Sequence, residues 1–179
     1  MRIHLRAFEP EDYKLTSQWR ADPEITDLLG GNLFYVSSER EKKWVEEKIF
    51  NDVTNIYLAI CLNENQDMIG YLSITSLDLR NRKAELGIII GRKDLWNQGY
   101  AREAIRLGLE HLFFQLNLRR VHAYVLEEHE SSLALFRRSG FIQEGILRDN
   151  VFKNGRFHNM VVLSILEDEF KVLTTREKA

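Results

Sequence analysis

A strand, an amphipathic helix and a second strand follow one another in the middle of this chain, and that order constrains the fold more than any other feature. The first strand covers residues 84–90 and carries the continuous apolar run expected of a strand buried on both faces. The helix begins near Tyr100, and the second strand covers Arg120–Leu126. Two strands joined through a helix usually lie parallel, with a right-handed crossover. We therefore predict a parallel strand pair.

The loop that joins the first strand to the helix has the features of an anion site. Its residues are Trp96, Asn97, Gln98, Gly99, Tyr100 and Ala101. A helix start offers unpaired backbone N–H groups and the positive end of the helix dipole. A glycine at position 99 lets the backbone curl close to a phosphate, although a glycine at such a junction is also an ordinary turn residue. The junction predicts a phosphate-bearing cofactor or substrate.

The helix has one apolar stripe, made of residues that recur at steps of three and four. The stripe contains Ala101, Ala104, Ile105, Gly108, Leu109, Leu112 and Phe113. Its small residues predict a close approach of the helix to the sheet, with Arg102, Glu103, Arg106 and Glu110 facing water.

The charges and the single cysteine exclude several classes of protein. The chain has 179 residues, and its 25 basic and 27 acidic side chains leave a net charge of −2, which gives no bulk field for nucleic acid or an anionic membrane. Its apolar runs are too short to cross a bilayer, and its first residues form no apolar signal segment. Cys61 lies in an apolar run and is expected to be a reduced core residue. We expect a cytoplasmic protein with no nucleic-acid or membrane partner.

The remaining patterns predict a single domain over residues 1–179, since no linker, repeat or low-complexity tract interrupts the chain. Ser38 and Glu41 form a capping box for a helix that runs to about Phe50. Asn154 and Gly155 predict a tight hairpin. The other predicted elements are a strand at 3–8, a short helix after Pro10, a loop at 30–36, an antiparallel hairpin of strands 56–62 and 68–75, a helix at 131–138 ended by Gly140, and strands at 143–152 and 157–166.

Three stretches of the chain match the motifs of one family. They are the strand at 84–90, the loop at 96–101, which stands in the place of the family's Q/R-x-x-G-x-G/A loop, and the segment 132–141, which ends in Gly-Phe. Together they resemble the GNAT superfamily of acetyl-CoA-dependent N-acetyltransferases. Through its tail the chain most resembles the branch of ribosomal-protein N-terminal, spermidine and amino-sugar acetyltransferases. The resemblance implies an α/β fold of the α+β type, with a mixed, mostly antiparallel sheet splayed near its parallel strand pair and helices on both faces.

The resemblance also implies that acetyl-CoA is the co-substrate and that its pantetheine arm enters the gap between the splayed strands. The cofactor-binding residues that it implies are Ile88, Ile89, Ile90, Trp96, Asn97, Gln98, Gly99, Tyr100, Ala101, Arg102, His129 and Arg138. The family often has a glycine at the place of Asn97 and a basic residue at the place of Gln98. Arg102 is therefore the better phosphate partner, whereas Arg92 and Lys93 are expected on a solvated surface.

Glu85 is the candidate general base. An acceptor ammonium must lose a proton before it can attack, and a carboxylate beside the gap could take that proton directly or through water. The same side chain could instead pair with Arg82, Lys83 or Arg120.

Two departures from the family's pattern affect the chemistry. Phe136 stands where many members have a tyrosine that protonates the leaving thiolate, so Tyr124 or Ser132 could supply that proton, or the thiolate could leave unassisted. His129 stands where an asparagine usually contacts the cofactor arm, and its imidazole offers one hydrogen bond instead of the amide's set.

The other histidines do not cluster with carboxylates or Cys61 at ligand spacing, so no metal site is predicted. His122 is expected to be structural, and His158 is expected to be an exposed strand residue. The strand at 157–166 is expected at the sheet edge, where it could pair between chains in a homo-oligomer or be covered.

The favoured function is acetyl transfer from acetyl-CoA to a primary amine by direct attack, with a small amine such as a polyamine or an amino sugar as the acceptor. A protein N-terminus of the ribosomal type is the alternative acceptor. A non-catalytic acyl-CoA-binding regulatory module is the alternative of another class, because Phe136 and His129 depart from the family's pattern.

Overall fold

A seven-stranded mixed sheet organises the protein in our computed structural model, which describes residues 1–27, 29–31 and 35–176. The strands are β1 (Ile3–Ala7), β2 (Ile56–Leu62), β3 (Met68–Asp78), β4 (Lys83–Ile90), β5 (Arg120–Leu126), β6 (Ile142–Lys153) and β7 (Arg156–Leu166), in the spatial order β1-β2-β3-β4-β5-β7-β6. The α-helices of these described ranges are α1 (Tyr13–Ala21), α2 (Pro23–Thr26), α3 (Ser38–Phe50), α4 (Tyr100–Glu110), α5 (Glu130–Arg138) and α6 (Glu167–Arg176).

The helices cover both faces of the sheet, and the predicted fold class is confirmed. On one face, sheet residues such as Leu72 and Leu86 pack against α4, α5 and α6 in the larger core cluster. On the other face, Phe8, Trp19 and Val45 from the N-terminal segments pack over β2 and β3. This division follows from the alternation of side chains along each strand, which sends neighbouring residues into different layers.

Helix α4 lies close against the sheet, as its stripe of small residues predicts. Ala104, Ile105 and Leu109 are fully buried. A side-chain carbon placed on Gly108 would lie 2.8 Å from Cδ1 of Leu72, which is too close for normal packing. The backbone then continues as a π-helical turn over His111–Gln115 before it reaches β5.

The parallel pair β4–β5 is confirmed, and it is short. The two strands pair in register only at Lys83 with Arg120, Ala84 with Val121 and Glu85 with His122. Beyond Glu85, β4 stays paired with β3 and β5 stays paired with β7, so the two strands diverge. The predicted splay of the sheet is therefore present, and its apex lies at the Glu85–His122 pair.

The capping box predicted for α3 is wrong by one residue. Ser37 is the N-cap, because its side chain accepts a hydrogen bond from the backbone N–H of Arg40 at 3.2 Å. Glu41 is buried instead, and its Oε2 pairs with Nε of Arg20 on α1 at 2.8 Å. Two adjacent serines, the N-cap Ser37 and the first helical residue Ser38, make the capping pattern ambiguous in the sequence.

The prediction that the strand at 157–166 forms a sheet edge is wrong. Strand β7 lies between β5 and β6, and β6 is the edge strand on that side. The turn at Asn154 and Gly155 has positive φ values of 50° and 80°, so the predicted hairpin is confirmed, and it folds β6 back on the outside of β7. Any strand pairing between chains on this side would have to use β6.

The remaining predictions concern single elements of the fold. The antiparallel hairpin of β2 and β3 is confirmed, and Cys61 is a buried free cysteine as expected. The helix predicted at 131–138 begins at Glu130. The loop predicted at 30–36 falls partly on residues 32–34, which lie outside the described residues. Across the described ranges, no helix is long and apolar enough to cross a membrane.

Candidate active site

The loop before α4 exposes backbone donors at the open end of the β4–β5 gap. Asn97 and Gly99 have positive φ values of 60° and 87°, which turn the chain sharply into the helix. The Nε2 group of Gln98 donates to the carbonyl of Asp94 at 2.7 Å, so this side chain braces the loop from within. The first N–H groups of a helix have no intrahelical acceptor, and here they begin at Tyr100. Backbone donors without intrahelical acceptors therefore lie where the anion site is predicted.

Arg2 contributes to this loop from the other end of the sequence. Its Nη1 donates to the carbonyl of Gln98 at 3.0 Å, and its guanidinium carbon lies 4.1 Å from the ring centroid of Tyr100. Its Nε also pairs with Glu103 at 3.1 Å. Arg2 could not be predicted from the sequence, because 96 residues separate it from Gln98 and no local pattern links them.

A groove of about 660 Å³ leads away from the loop on the α4 side of the sheet. Four arginines line it, namely Arg2, Arg102, Arg106 and Arg138. Glu103 also lines the groove but is bound to Arg2, so the groove carries an excess of positive charge. Guanidinium groups bind phosphate through paired hydrogen bonds, and the volume suits a nucleotide-sized ligand.

The groove contains both arginines that the resemblance assigned to cofactor binding, Arg102 and Arg138. It also contains Arg106, which the helix pattern had placed on a water-facing surface. Arg106 pairs with Glu110 at 3.2 Å, one helical turn further on. The far end of the groove is closed by Phe170 and Leu173 of α6.

The backbone of β4 faces the gap at two of the predicted positions. The N–H of Gly91 donates to Ile69 on the β3 side at 2.8 Å. Because backbone groups alternate in direction along a strand, those of Ile88 and Ile90 point the other way, towards the gap. The indole N–H of Trp96 donates to the carbonyl of Ile90 at 2.8 Å, so one acceptor lone pair at the gap is already used.

The third predicted isoleucine, Ile89, points to the other face of the sheet. There it lines a small cavity of about 60 Å³ beside α1, together with Trp19 and Tyr71, whose rings are stacked with centroids 6.5 Å apart. Its side chain therefore lies on the face opposite to that of Ile88 and Ile90, which pack against the larger core.

Glu85 lies at the apex of the gap with an unused carboxylate. Its side chain is half-buried, and burial raises the pKa of its carboxyl group. No hydrogen bond or ion pair joins it to Arg82, Lys83 or Arg120 within the described part of the chain. Arg82 donates to Asn117 at 2.7 Å, and Arg120 donates to Ser164 at 2.8 Å. The pairing role considered as an alternative for Glu85 is therefore not seen.

The three residues considered for protonating a thiolate occupy different environments. Tyr124 lies on β5 beyond the apex and is 40% exposed, with its ring edge-on to His122 at 5.4 Å. Ser132 is partly buried near the start of α5 but is not the N-cap, which is His129. Phe136 is buried, and its ring packs edge-on against Phe141 at 5.0 Å, so it belongs to the core.

His129 starts α5 at the end of β5. Its backbone N–H donates to Leu126 at 2.9 Å, and its carbonyl accepts the N–H of Leu133 at 3.0 Å. The residue predicted to contact the cofactor arm is thus held by backbone bonds at the rim of the gap, opposite the loop before α4.

His158 is buried, so its prediction as an exposed residue is wrong. Its Nε2 bonds to the carbonyl of Lys153 at 3.0 Å, and its Nδ1 bonds to Glu128. Lys153 in turn donates from Nζ to the carbonyls of Thr26 and Leu29 at 2.6 and 2.8 Å. His158 is buried because β7 is an interior strand. Through Lys153, the β6–β7 hairpin is bonded to the region of α2.

The charged residues that follow β4 form surface ion pairs, in agreement with the solvated surface expected for them. Arg92 pairs with Asp94 at 2.7 Å. Lys93 pairs with Asp22 at 2.8 Å and with Glu24 at 2.7 Å. Neither basic residue lines the arginine groove. In the described ranges, no group of three or more His, Cys, Asp or Glu side chains is arranged to hold a metal ion.

The sequence and the fold both have clear relatives. Residues 2–142 match the family described as acetyltransferase (GNAT) domain. The uncharacterized N-acetyltransferase p20 of Bacillus licheniformis is 31% identical over 171 residues, which cover 94% of this chain and 95% of that protein. YdaF of Bacillus subtilis is 29% identical over 174 residues, which cover 94% of this chain and 93% of that protein. Its name assigns it provisionally to the ribosomal N-acetyltransferases.

Spermidine acetyltransferase of Vibrio cholerae is similar in sequence and in structure. It is 30% identical to this chain over 105 residues, which cover 59% of this chain and 60% of that protein. A crystal structure of spermidine N-acetyltransferase from the same organism, in complex with CoA and spermine, superposes with a TM-score of 0.87 at 24% identity and covers 95% of this chain and 98% of that one. The structural likeness establishes the fold.

Proposed function

The chain belongs to the GNAT acetyltransferase family, and on that basis we propose that it transfers the acetyl group of acetyl-CoA to a primary amine by direct attack. Family membership makes the protein an acyltransferase. We therefore do not favour the non-catalytic acyl-CoA-binding module, which the departures at Phe136 and His129 had suggested as an alternative. The observation that carries the proposal is the adjacency of the β4–β5 gap, the start of α4 and the arginine groove.

Acetyl-CoA fits the chemistry of these three features. Arg102, Arg106 and Arg138 would hold its phosphate groups along the groove, and the N–H groups from Tyr100 onwards would hold the pyrophosphate. The backbone of Ile88 and Ile90 would bind the pantetheine amides in the manner of an added strand. This arrangement directs the thioester towards the apex of the gap, where Glu85 lies.

The reaction must remove two protons from the acceptor nitrogen and give one to sulfur. Glu85 takes the first proton of the acceptor ammonium directly or through water, and the amine nitrogen bonds to the thioester carbonyl carbon. The nitrogen releases its second proton to solvent as the carbon–sulfur bond breaks. Tyr124 or Ser132 returns a proton to the departing thiolate, or the thiolate is protonated by solvent. The products are an N-acetylated amine and free CoA, and no covalent enzyme intermediate forms.

A small cationic amine is the acceptor that we favour. The sheet face that carries Glu85 also carries Tyr57 and Tyr71, and Trp19 of α1 packs against it. Burial raises the pKa of Tyr57, and the charge of Glu85 adds to that shift, which places the carboxylate near this aromatic group. Aromatic rings and a carboxylate together suit an ammonium group. Spermidine is the substrate named for one relative, which supports a polyamine, and an amino sugar fits the same chemistry.

A protein N-terminus is the second candidate acceptor, and the similarity to YdaF favours it. The two acceptors differ in what must enter the site, since a polypeptide needs an open path for its following residues. A small amine needs only the space beside Glu85 and Ile89.

The test is acetyl-CoA-dependent release of free thiol with a panel of polyamines, amino sugars, amino acids and peptides with free N-termini. We expect turnover with one small-amine class, and a reduced but measurable kcat in Glu85→Gln with acetyl-CoA affinity retained. Turnover confined to peptides would replace the small amine by the protein N-terminus. Acetyl-CoA binding without turnover on any amine would overturn the proposed function.

A further inference from the structure

His122 occupies a special position at the apex of the gap. It is paired with Glu85 in the last register position that β4 and β5 share. Residues that lie directly opposite each other in neighbouring strands project from the same face of a sheet, and the strands are roughly 4.8 Å apart. The side chains of His122 and Glu85 therefore project from the same face of the sheet, the one that the proposed acceptor would approach, and no hydrogen bond or ion pair joins them among the described residues.

The Nδ1 atom of His122 is buried and has no hydrogen-bond partner among the described residues. Buried polar atoms in folded proteins nearly always have a partner, so an orphaned one points to a group that binds there. The nearest polar neighbour on β7 does not serve, because the hydroxyl of Ser164 donates to Glu144 at 2.7 Å and accepts from Arg120 at 2.8 Å.

Two other histidines, His158 and His4, have ring nitrogens that are bonded to groups of the fold, as expected of a structural role. His158 uses both ring nitrogens, one on the carbonyl of Lys153 and one on Glu128. His4 uses its Nδ1 on Asn63 at 2.8 Å at the edge of the sheet. His122 differs from both in having a buried nitrogen that no described group satisfies, so the structural role expected from the sequence leaves this atom unexplained.

We propose that Nδ1 of His122 accepts the proton that the acceptor ammonium must lose, with the carboxylate of Glu85 beside it to hold the ammonium and then the imidazolium. This inference rests on the proposed function and deepens it. It assigns to the side chain of His122 the proton transfer that Glu85 would otherwise perform directly or through water. The ammonium N–H bond breaks and its proton passes to Nδ1. The freed nitrogen bonds to the thioester carbonyl carbon and loses its second proton as the carbon–sulfur bond breaks. The electrons of that bond go to sulfur, and the thiolate takes up the second proton. The imidazolium then releases the first proton to solvent.

The charges around His122 favour the form that this role requires. Burial lowers the pKa of its imidazole, and Arg120 and Lys83 lower it further, while Glu144 and the backbone of Ala84 oppose them. The side chain is therefore neutral at neutral pH and available as a base. The other titratable groups beside it are Glu85 on β4 and Tyr124 on β5.

The test compares His122→Gln with the matched control His4→Gln, which makes the same chemical change at the far edge of the sheet. We expect kcat to fall about 100-fold in His122→Gln, a size typical of a lost general base, with acetyl-CoA affinity within about twofold of the wild type. The acidic limb of the pH profile of kcat should disappear in His122→Gln and remain, although shifted, in Glu85→Gln. His4→Gln should behave as the wild type.

Two outcomes separate this inference from the function on which it rests. If the wild type acetylates an amine and His122→Gln keeps the wild-type kcat and acidic limb, the role of His122 is overturned while the function stands. If the wild type acetylates no amine, the proposed function fails. NMR of histidine ¹⁵N in the CoA-bound wild type then tests whether an ammonium group binds at His122. A shift of the His122 Nδ1 resonance on addition of spermidine would support an ammonium site there, and an unchanged resonance would overturn it.

Discussion

The indole N–H of Trp96 donates to the backbone carbonyl of Ile90 at 2.8 Å, and this bond fastens the loop before α4 to the strand that borders the gap. The phosphate-binding and thioester-binding parts of the proposed site are therefore mechanically joined. A shift of the loop would carry the end of β4 with it.

Trp96→Phe removes this bond and keeps an aromatic ring. A hydrogen bond of this kind contributes about 1 kcal/mol net, so we expect acetyl-CoA to bind about fivefold more weakly. Calorimetric titration measures the change. Turnover at saturating acetyl-CoA should stay near the wild-type value, and a large loss of kcat with unchanged affinity would show that the bond serves the chemistry instead.

The arginine groove predicts a charge-dependent loss of affinity. Arg138→Gln removes one guanidinium from the groove, and acetyl-CoA affinity should fall about tenfold at low salt and less at high salt, where screening weakens the remaining attraction. Arg137→Gln is the matched control, because Arg137 is exposed and donates to Gln143 at 2.8 Å instead of lining the groove. Equal losses in the two variants would contradict the assignment of the groove.

Gly99 should tolerate no larger side chain. Its φ of 87° lies in the left-handed region, which a β-branched residue adopts only under strain, and a side chain there would also cover the donors at the start of α4. We expect Gly99→Val to abolish measurable acetyl-CoA binding. Gly145→Val, on the edge strand with open space around the position, should bind normally. Wild-type affinity in Gly99→Val would remove the loop from the site.

The Arg120–Glu144 pair predicts an acid-sensitive contribution to stability. The hydrogen bond that Arg120 donates to Glu144 lowers the pKa of the Glu144 carboxyl group from an ordinary 4.5 to about 2. A carboxylate with a lowered pKa stabilises the fold above pH 4.5 and loses that contribution as the pH falls towards 2. Because the side chain is 40% exposed, solvent screening limits the effect to below about 1 kcal/mol.

Glu144→Gln should therefore lower the free energy of unfolding at pH 7 and have little effect at pH 2.5, as measured by urea unfolding at both values. Glu64→Gln, an exposed change in the turn between β2 and β3, is the control and should have little effect at either pH. A loss of stability in Glu144→Gln that is the same at both values would mean that packing, not the ion pair, is responsible.

The sequence predicts most of the cofactor side of this site, because its signals are local. Three local patterns carry this prediction, and they lie within some 30 residues: the buried run of β4, the glycine at position 99 and the apolar stripe of α4. Each of them predicts its structure from neighbouring residues alone. The splay of β4 from β5 came from the family resemblance, and the structure confirms it with pairing that ends at Glu85.

The features that the sequence did not predict all depend on contacts between distant segments. Arg2 reaches the Gln98 carbonyl across the fold, and His158 became buried because β7 is an interior strand. Strand order in a mixed sheet is not encoded in the periodicity of any one strand, so neither residue could be placed. The orphaned Nδ1 of His122 likewise becomes visible only when β4, β5 and β7 are assembled.

The central claim, direct transfer from acetyl-CoA to an amine, is tested most directly by initial rates over a grid of acetyl-CoA and acceptor concentrations, with spermidine or the faster small amine of the panel. Direct attack within a complex of both substrates predicts double-reciprocal lines that intersect. Parallel lines would indicate a covalent acetyl-enzyme and contradict direct attack, and the absence of any small-amine-dependent rate would contradict the assignment of the acceptor.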